Sequence, residues 1–413
     1  MTSWSEVPFG ALSAGVRSAF SMGPFGSKIT KDNYTPSGVP VVRGVNLANG
    51  IFTDDGFVFI STEKADELTS ANVVPGDLVF THRGTIGQVT MIPRNPQHSR
   101  YVIGSSQVKC RLDESKAIPE FYYYWFTSPQ GQHSILAHTS TVGVPGIATP
   151  LSTIKRLQVP LPSLAEQRAI AEILGALDDK IAANTRTANT AAELAEALYI
   201  QDSRNSTGWT EFALSDTSKW LSGGTPKTSE PNYWGGDIPW ISAASLKSPW
   251  LDQSDRKVTR LGAANGTRLV PKGSIIFVVR GMSLTSEFRI GLTQREVAFG
   301  QDCKALLPKP GIDALAIFLA LRTRTTEILG LVDAAGHGTG RLGTDRIAKL
   351  QVRLPQGETA KIFTRTVAPL IDRASAMRRE NRTLAELRDT LLPQLVTGKI
   401  RVKDIERIVE DAA

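Results

Sequence analysis

Cysteine is nearly absent from this 413-residue chain: Cys110 and Cys303 are the only two. They fall in different halves at nearly corresponding places, so no disulfide framework is expected. Histidine is scarce too, and no Cys-x-x-Cys or His/Cys cluster has metal-ligand spacing. Long hydrophobic runs are missing. Apolar runs such as Ile275–Val279 fall far short of the roughly 20 residues that cross a bilayer. The first residues lack the basic-then-apolar pattern of a secretory signal, so the chain reads as cytoplasmic, with no membrane partner. Catalytic signatures are lacking as well. Gly23-Pro24-Phe25-Gly26-Ser27-Lys28 fails the four-residue gap of a phosphate-binding loop. Pro231-Asn232-Tyr233 only superficially resembles an Asn/Asp-Pro-Pro-Tyr/Phe methyltransferase motif. Glu114-Ser115-Lys116 has the end of a nuclease metal site, but its nearest upstream carboxylate candidate, Asp77, is distant in sequence. A solvated loop is the simpler reading, and no catalytic or metal-binding residue is assigned.

What the chain does have is a repeat. Trp4-Ser5-Glu6 returns as Trp209-Thr210-Glu211, and Val39-Pro40-Val41-Val42 as Ile238-Pro239-Trp240-Ile241. VPGDLVFTHRG, Val74 to Gly84, returns with one residue inserted as VPKGSIIFVVRG, Val270 to Gly281. Ile154–Pro162 returns as Ile347–Pro355, and the register then holds through Glu193-Leu194 and Glu386-Leu387. A duplicated chain has pseudo-twofold symmetry, which suits a target with two half-sites. Between landmarks the halves diverge freely, as two different half-sites would require.

Within each half, β-branched runs with Gly, Pro and Ser punctuation predict strands. These are Val39–Arg43, Asp77–Thr81, Gln88–Ile92 and Gln107–Leu112, answered by Ile238–Ser242, Ser274–Val279 and Asp302–Leu306. Helices are expected at Pro119–Thr127, Gln130–Ala137, Ala314–Arg322 and Arg324–Val332. The aromatic run Phe121–Phe126 invites base stacking, but at helical spacing it is core. After each globular half comes a different pattern. Ser163-Leu164-Ala165-Glu166 is a capping box. From Ile170 through Leu174, Leu177, Ile181, Asn184, Ala188, Ala191 and Ala195 to Leu198, seam residues recur at alternating spacings of four and three. Phe363, Val367, Leu370, Ala374, Met377, Asn381, Leu384, Arg388 and Leu391 repeat that seam, with a kink or late start expected at Pro369. Each helix of some 35 residues would be about 50 Å long, long enough to pair with the other rather than merely cover its own domain.

The fold class expected is therefore α+β: two globular α/β domains separated by two long antiparallel coiled-coil helices, with an internal pseudo-twofold repeat. The expected boundaries are 1–160 for the first globular domain, 161–203 for the first helix, 204–354 for the second domain, 355–395 for the second helix and 396–413 for a tail. The helices would act as a rod with the domains at its ends. The net charge of +7 favours a polyanionic partner. The first long helix is acidic, so the positive excess lies in the globular parts, with some on the second helix.

This layout resembles the specificity subunit of a type I restriction-modification enzyme. The sharpest marks are PLPSLAEQRAIAEIL (Pro160 to Leu174), SGGTPKTSEPNYWGGDIPWIS (Ser222 to Ser242) and LLPQLVTGKIRV (Leu391 to Val402). The second helix departs from the family's Glu-Gln start, with Gln356-Gly357-Glu358-Thr359-Ala360 in its place, and the first domain's opening, Gly23 to Pro40, is looser than the second's. The resemblance implies two target-recognition domains, each reading half of an interrupted site in double-stranded DNA. It implies helices that set the spacing and dock two methyltransferase subunits, and restriction subunits that join them. The cofactors, S-adenosylmethionine, ATP and magnesium, would belong to those partners and none to this chain. A chain that cleaved or methylated alone would need the missing motifs, and a pure scaffold would not need two different faces.

Candidate DNA contacts come from residue chemistry. Arg83 and Arg280 recur before glycine after a strand, where they could bind phosphate, pair bidentately with guanine, or form a structural pair with a carboxylate. Lys28, Lys31, Lys227 and Thr228 lie in loops of small polar residues suited to phosphate, or are plain solvated surface. Gln107 and Gln301, read as equivalent, could recognise adenine or satisfy buried backbone. His337 and Arg341, in and just after a glycine-rich loop, Gly336–Gly340, are candidates too, or belong to a plain flexible surface loop.

Overall fold

The computed structural model describes residues 4–140, 143–204, 207–335 and 338–403. They form two compact units. One combines the stretch up to Ala182 with the stretch from Asn381 onward, and the other is Ala183–Glu380. The division cuts both long helices, so each unit owns part of each.

The first unit is closed by the repeated landmarks. Ser5–Pro8 pairs antiparallel with Gln158–Leu161. Two sheets follow. In one, Val39–Val42 lies between Val58–Ile60, antiparallel, and Tyr101–Ile103, parallel, with Tyr34–Thr35 and Asn72–Val73 at the edges. In the other, Gln107–Cys110 is flanked by Phe20–Met22 and Leu78–Thr81, with Val89–Met91 outermost, all antiparallel. The strands Val39–Val42, Leu78–Thr81 and Gln107–Cys110 are buried on both faces, so they lack the in-and-out alternation of a half-exposed strand. The helix Pro119–Thr127 packs its aromatics into this second sheet. Phe126 meets Phe9 at 4.8 Å and Phe80 at 4.9 Å between ring centroids, so the run is core, as its spacing predicts.

The second unit repeats the plan. Trp209–Ala213 pairs antiparallel with Gln351–Pro355. A five-stranded sheet orders Ser218–Ser222, Cys303–Pro308, Ile275–Val278, Ile290–Thr293 and Trp250–Leu251. A four-stranded sheet is built on Trp234–Ile241, parallel to Val297–Phe299. The helix Ala314–Arg322 starts where Asp313 accepts from the Ala316 N–H at 2.8 Å. Its residues Ala316 to Leu321 are all buried, as a helix inside a core must be.

The first long helix is Leu164–Arg204 and the second Gly357–Leu395. The capping box forms: Ser163 Oγ accepts from the Glu166 N–H at 3.3 Å, and the Glu166 carboxylate accepts from the Ser163 N–H at 3.2 Å. Pairing is antiparallel within each unit. In the first, the Asn381 amide donates to the Ile181 carbonyl at 3.1 Å and Arg388 binds Asp178 at 2.8 Å. In the second, Arg378 donates to Asn189 at 3.0 Å, and Phe363 and Tyr199 meet at 6.3 Å. Ala188, Ala191 and Ala195 are buried on the seam as expected.

Two expectations need correcting. Of the kink or late start expected at Pro369, the late start does not occur, because the helix begins at Gly357 and runs past the proline. Proline in a helix interior costs roughly 3 kcal/mol. The buried Phe363, Val367 and Ile371 around it each contribute about 1.5–3 kcal/mol, which outweighs the break. The seam also slips by one residue here. Ile371 and Tyr199 are buried, while Leu370 and Leu198 are only half-buried. The cause is an aromatic cluster: Trp209 meets Phe363 at 5.3 Å and Tyr199 at 5.7 Å, and the Tyr199 hydroxyl donates to the Arg353 carbonyl at 3.0 Å. No described helix is long and apolar enough to cross a membrane.

Candidate nucleic-acid interface

Arg83 and Arg280 occupy the same local frame. In the first unit the chain leaves strand Leu78–Thr81, and Arg83 bridges to Gly146, whose strand Gly146–Ile147 pairs with Thr139–Ser140. Gly84 then takes a left-handed φ of +91° that a side chain would strain. In the second unit Arg280–Gly281 pairs with Thr339–Leu342, which pairs in turn with Val332–Ala335. Both arginines are exposed, and neither has an ion pair among the described residues. A carboxylate partner is therefore not what holds them there.

The two frames differ opposite the arginine. The first unit has Gly146 and the second has Arg341. Arg341 is exposed, also without an ion pair among the described residues. Its neighbour on the next strand, Asp333, pairs with Arg346 at 2.8 Å instead. Like charges directly opposite on a sheet repel, so this pair is suited to an anion lying across both. His337 lies outside the described residues.

The glutamines fare differently. Gln107 lies opposite Thr81, two residues before Arg83. The residue opposite Val278, two before Arg280, is Cys303. Gln107 therefore matches Cys303, and Gln301 matches Ser105, so reading them as equivalents was a two-residue misregistration. The insertion in the Val270–Gly281 segment and the unequal loops hide this in the sequence. Gln107 is buried and does not offer its amide to a groove; Gln301 is exposed.

Lys28 and Lys31 are exposed on the loop before Tyr34–Thr35, where Thr30 and Asn33 fix the turn through the Thr30 N–H to Asn33 Oδ1 bond of 2.9 Å. Lys227 and Thr228 are exposed on the loop between Ser218–Ser222 and Trp234–Ile241. Gly223 seats this loop: a Cβ there would lie 2.2 Å from the Gly300 carbonyl oxygen and 2.4 Å from that of Phe299, so only glycine fits. The sequence reading missed Arg256, which stacks beside this loop with its guanidinium carbon 3.6 Å from the centroid of Trp234. The Trp-rich opening could have flagged it, but the arginine lies 22 residues beyond Trp234 and no periodicity links them.

Behind the first unit's surface lies a buried charged network. Asp77 accepts from Arg111 through both oxygens at 2.7 Å, which makes it a structural group. Lys109 is fully buried and donates to the Asn72 carbonyl, and burial lowers its pKa to about 8. Burial also lowers the pKa of His82, just before Arg83. It raises both thiols, Cys303 to about 12, so neither cysteine is an activated nucleophile. No group of three or more His, Cys, Asp or Glu among the described residues could hold a metal.

The family model for the type I restriction modification DNA specificity domain matches twice, over residues 24–193 and 206–381. The chain belongs to this family of type I restriction-modification specificity subunits. It is similar to the EcoR124I/EcoR124II specificity subunit of Escherichia coli, at 26% identity over 59% of this chain and 61% of that one. It is also similar to the HindI specificity subunit of Haemophilus influenzae, at 26% identity over 47% of this chain and 42% of that one. The MjaIX specificity subunit of Methanocaldococcus jannaschii matches at 25% identity over 90% of this chain and 89% of that one. The matched stretch thus spans less than two thirds of the first two relatives. A crystal structure of a type I S subunit from M. genitalium shares the fold, with TM-score 0.65, 18% identity and coverage of 95% of this chain and 96% of that one. The two copies of the specificity domain, the mixed strands and helices and the paired long helices are thus the architecture of a specificity subunit.

Proposed function

We propose that this specificity subunit reads a bipartite site in double-stranded DNA, one half with each unit, and performs no chemistry itself. The observation that carries this reading is the arginine frame: the same exposed, unpaired arginine on the same small sheet in both units, with glycine opposite it in one and arginine in the other. A shared frame supports a shared task, and unlike surroundings support unlike targets. Arg83, Arg280 and Arg341 are the proposed principal contacts, with Lys28, Lys31, Lys227 and Thr228 on phosphate and Gln301 as a further candidate. The paired helices set the distance between half-sites and dock two methyltransferase subunits. Restriction subunits complete the complex, and the chemistry of S-adenosylmethionine, ATP and magnesium stays in those partners.

The test is adenine-methylation sequencing of genomes with and without the gene for this chain. One interrupted motif should lose methylation when the chain is removed. Methylation that persists unchanged, or robust methylation by the purified chain alone, refutes the reading.

A further inference from the structure

In the second unit, Trp234 and Trp240 meet edge to face, 5.4 Å between centroids at 84°. Each indole N–H is committed to the loop that carries Lys227. Trp234 donates to the Lys227 carbonyl at 3.2 Å and Trp240 to that of Gly224 at 3.0 Å. Arg256 lies over this pair, its guanidinium carbon 3.6 Å from the Trp234 centroid and 5.3 Å from that of Trp240. The backbone beneath is fixed, since the Trp240 N–H donates to the Arg256 carbonyl at 2.9 Å. Arg256 is exposed, and among the described residues it has neither an ion pair nor a side-chain hydrogen bond; Asp255, its exposed neighbour in sequence, does not pair with it. A guanidinium held over an indole is anchored by its face, which leaves its N–H donors available to a ligand at little entropic cost. Beside it the fastened loop presents an ammonium, from Lys227, and a hydroxyl, from Thr228. A planar fork, a point charge and a neutral donor form a set suited to a phosphodiester.

Among the described residues, the first unit has no counterpart of Arg256 or Trp240. Ile238 pairs with Val258 as Val39 pairs with Ile60, so Val58 stands at the place of Arg256 and Val41 at that of Trp240. Phe57, Phe59, His98 and Tyr101 fill the surroundings with their own ring contacts.

We propose that Arg256, held over Trp234 and beside Trp240 and Lys227, grips the DNA backbone of the second half-site, a contact the first unit lacks. This rests on the DNA-reading function proposed above. The experiment titrates the full chain against two fluorescein-labelled duplexes, one carrying the methylation motif and one lacking it, across a salt series. Arg256→Gln should weaken binding to both duplexes by the same factor and reduce the log–log salt slope by about 0.9. Arg256→Lys should keep the wild-type slope, because it keeps the charge. Trp234→Leu should lower affinity with the slope unchanged, because it releases the arginine without removing it. Melting temperatures verify that the variants fold. An unchanged slope in Arg256→Gln overturns the proposal, and so does a loss confined to the motif duplex, which would make Arg256 a base reader. A wild-type chain that binds neither duplex overturns the DNA-reading function itself.

Discussion

Removing Arg280 should make the free protein slightly more stable, and removing Arg280 or Arg341 should weaken its DNA binding. The two arginines stand directly opposite on adjacent strands, exposed and without carboxylates of their own. A like-charge pair in that geometry costs a few tenths to about 1 kcal/mol, so alanine at Arg280 should raise the unfolding free energy in urea by that modest amount; Arg341 also stands opposite Asp333, so its removal should leave stability nearly level. If each arginine neutralises one phosphate, each substitution lowers the salt slope by about 0.9. Between 50 and 200 mM salt the logarithm of concentration changes by about 0.6, so each charge accounts for roughly 3.5-fold of the salt-driven loss in affinity and the pair for about 12-fold. The double mutant should therefore bind with a slope about 1.8 shallower than wild type. Fluorescence anisotropy over a salt series gives the slope, and urea melts give the stability. Arg83→Ala is the internal control. It faces Gly146, so it should show the binding loss without the gain in stability. If Arg280→Ala lowers stability and leaves the slope untouched, the arginine is a structural prop and the interface must lie elsewhere.

Three further outcomes are expected. Phe363→Ala removes a buried ring that contacts Trp209 and Tyr199 and should lower unfolding free energy by about 3–5 kcal/mol in urea titration. Lys109 holds its proton less tightly when folded, with a pKa of about 8, than at its ordinary 10.5. The unfolded chain therefore binds more protons between those values. Wild-type stability should rise across that pH window by roughly 2–3 kcal/mol relative to Lys109→Met, with no such difference in trend below it. Finally, four residues inserted near Thr190 with four near Thr383 add about 6 Å of helix and only some 40° of rotation beyond a full turn. The gap between methylated half-sites should lengthen by about one or two base pairs of roughly 3.4 Å; an unchanged gap at full activity would remove the helices as the spacer.

What could be read from the sequence was whatever is local or repeated. The capping box at Ser163, the heptad seam through Ala188 and Ala195, and the helices Pro119–Thr127 and Ala314–Arg322 all depend on neighbours within a few residues, and all form as expected. The segments that pair Ser5–Pro8 with Gln158–Leu161 and Trp209–Ala213 with Gln351–Pro355 stand out as repeats, though not as strands. What could not be read depends on unequal loops and distant partners. Gln107 and Gln301 look equivalent until strand pairing fixes the register. Arg341 faces Arg280 across some sixty residues, and Arg256 is ordered by tryptophans on another strand. The slip to Tyr199 and Ile371 follows from aromatic packing in the second unit, which a heptad count cannot see.

The division of the chain also sets an order of assembly. Everything in the second unit is contiguous, whereas the first unit's core is finished by Leu391, Leu392, Leu395 and Val396 from the far end of the second long helix. Arg401 reaches back to stack on Trp4, 4.9 Å from its centroid. During synthesis at about 5–20 residues per second, the first unit would wait roughly 10–40 s for these residues. Through that interval the apolar stripe at Ile170 and Leu174 lacks part of its final cover, and the second unit, complete at Glu380, has all of its residues shortly before the first does. The molecule matures from its middle outward, and the half begun first is the last to close.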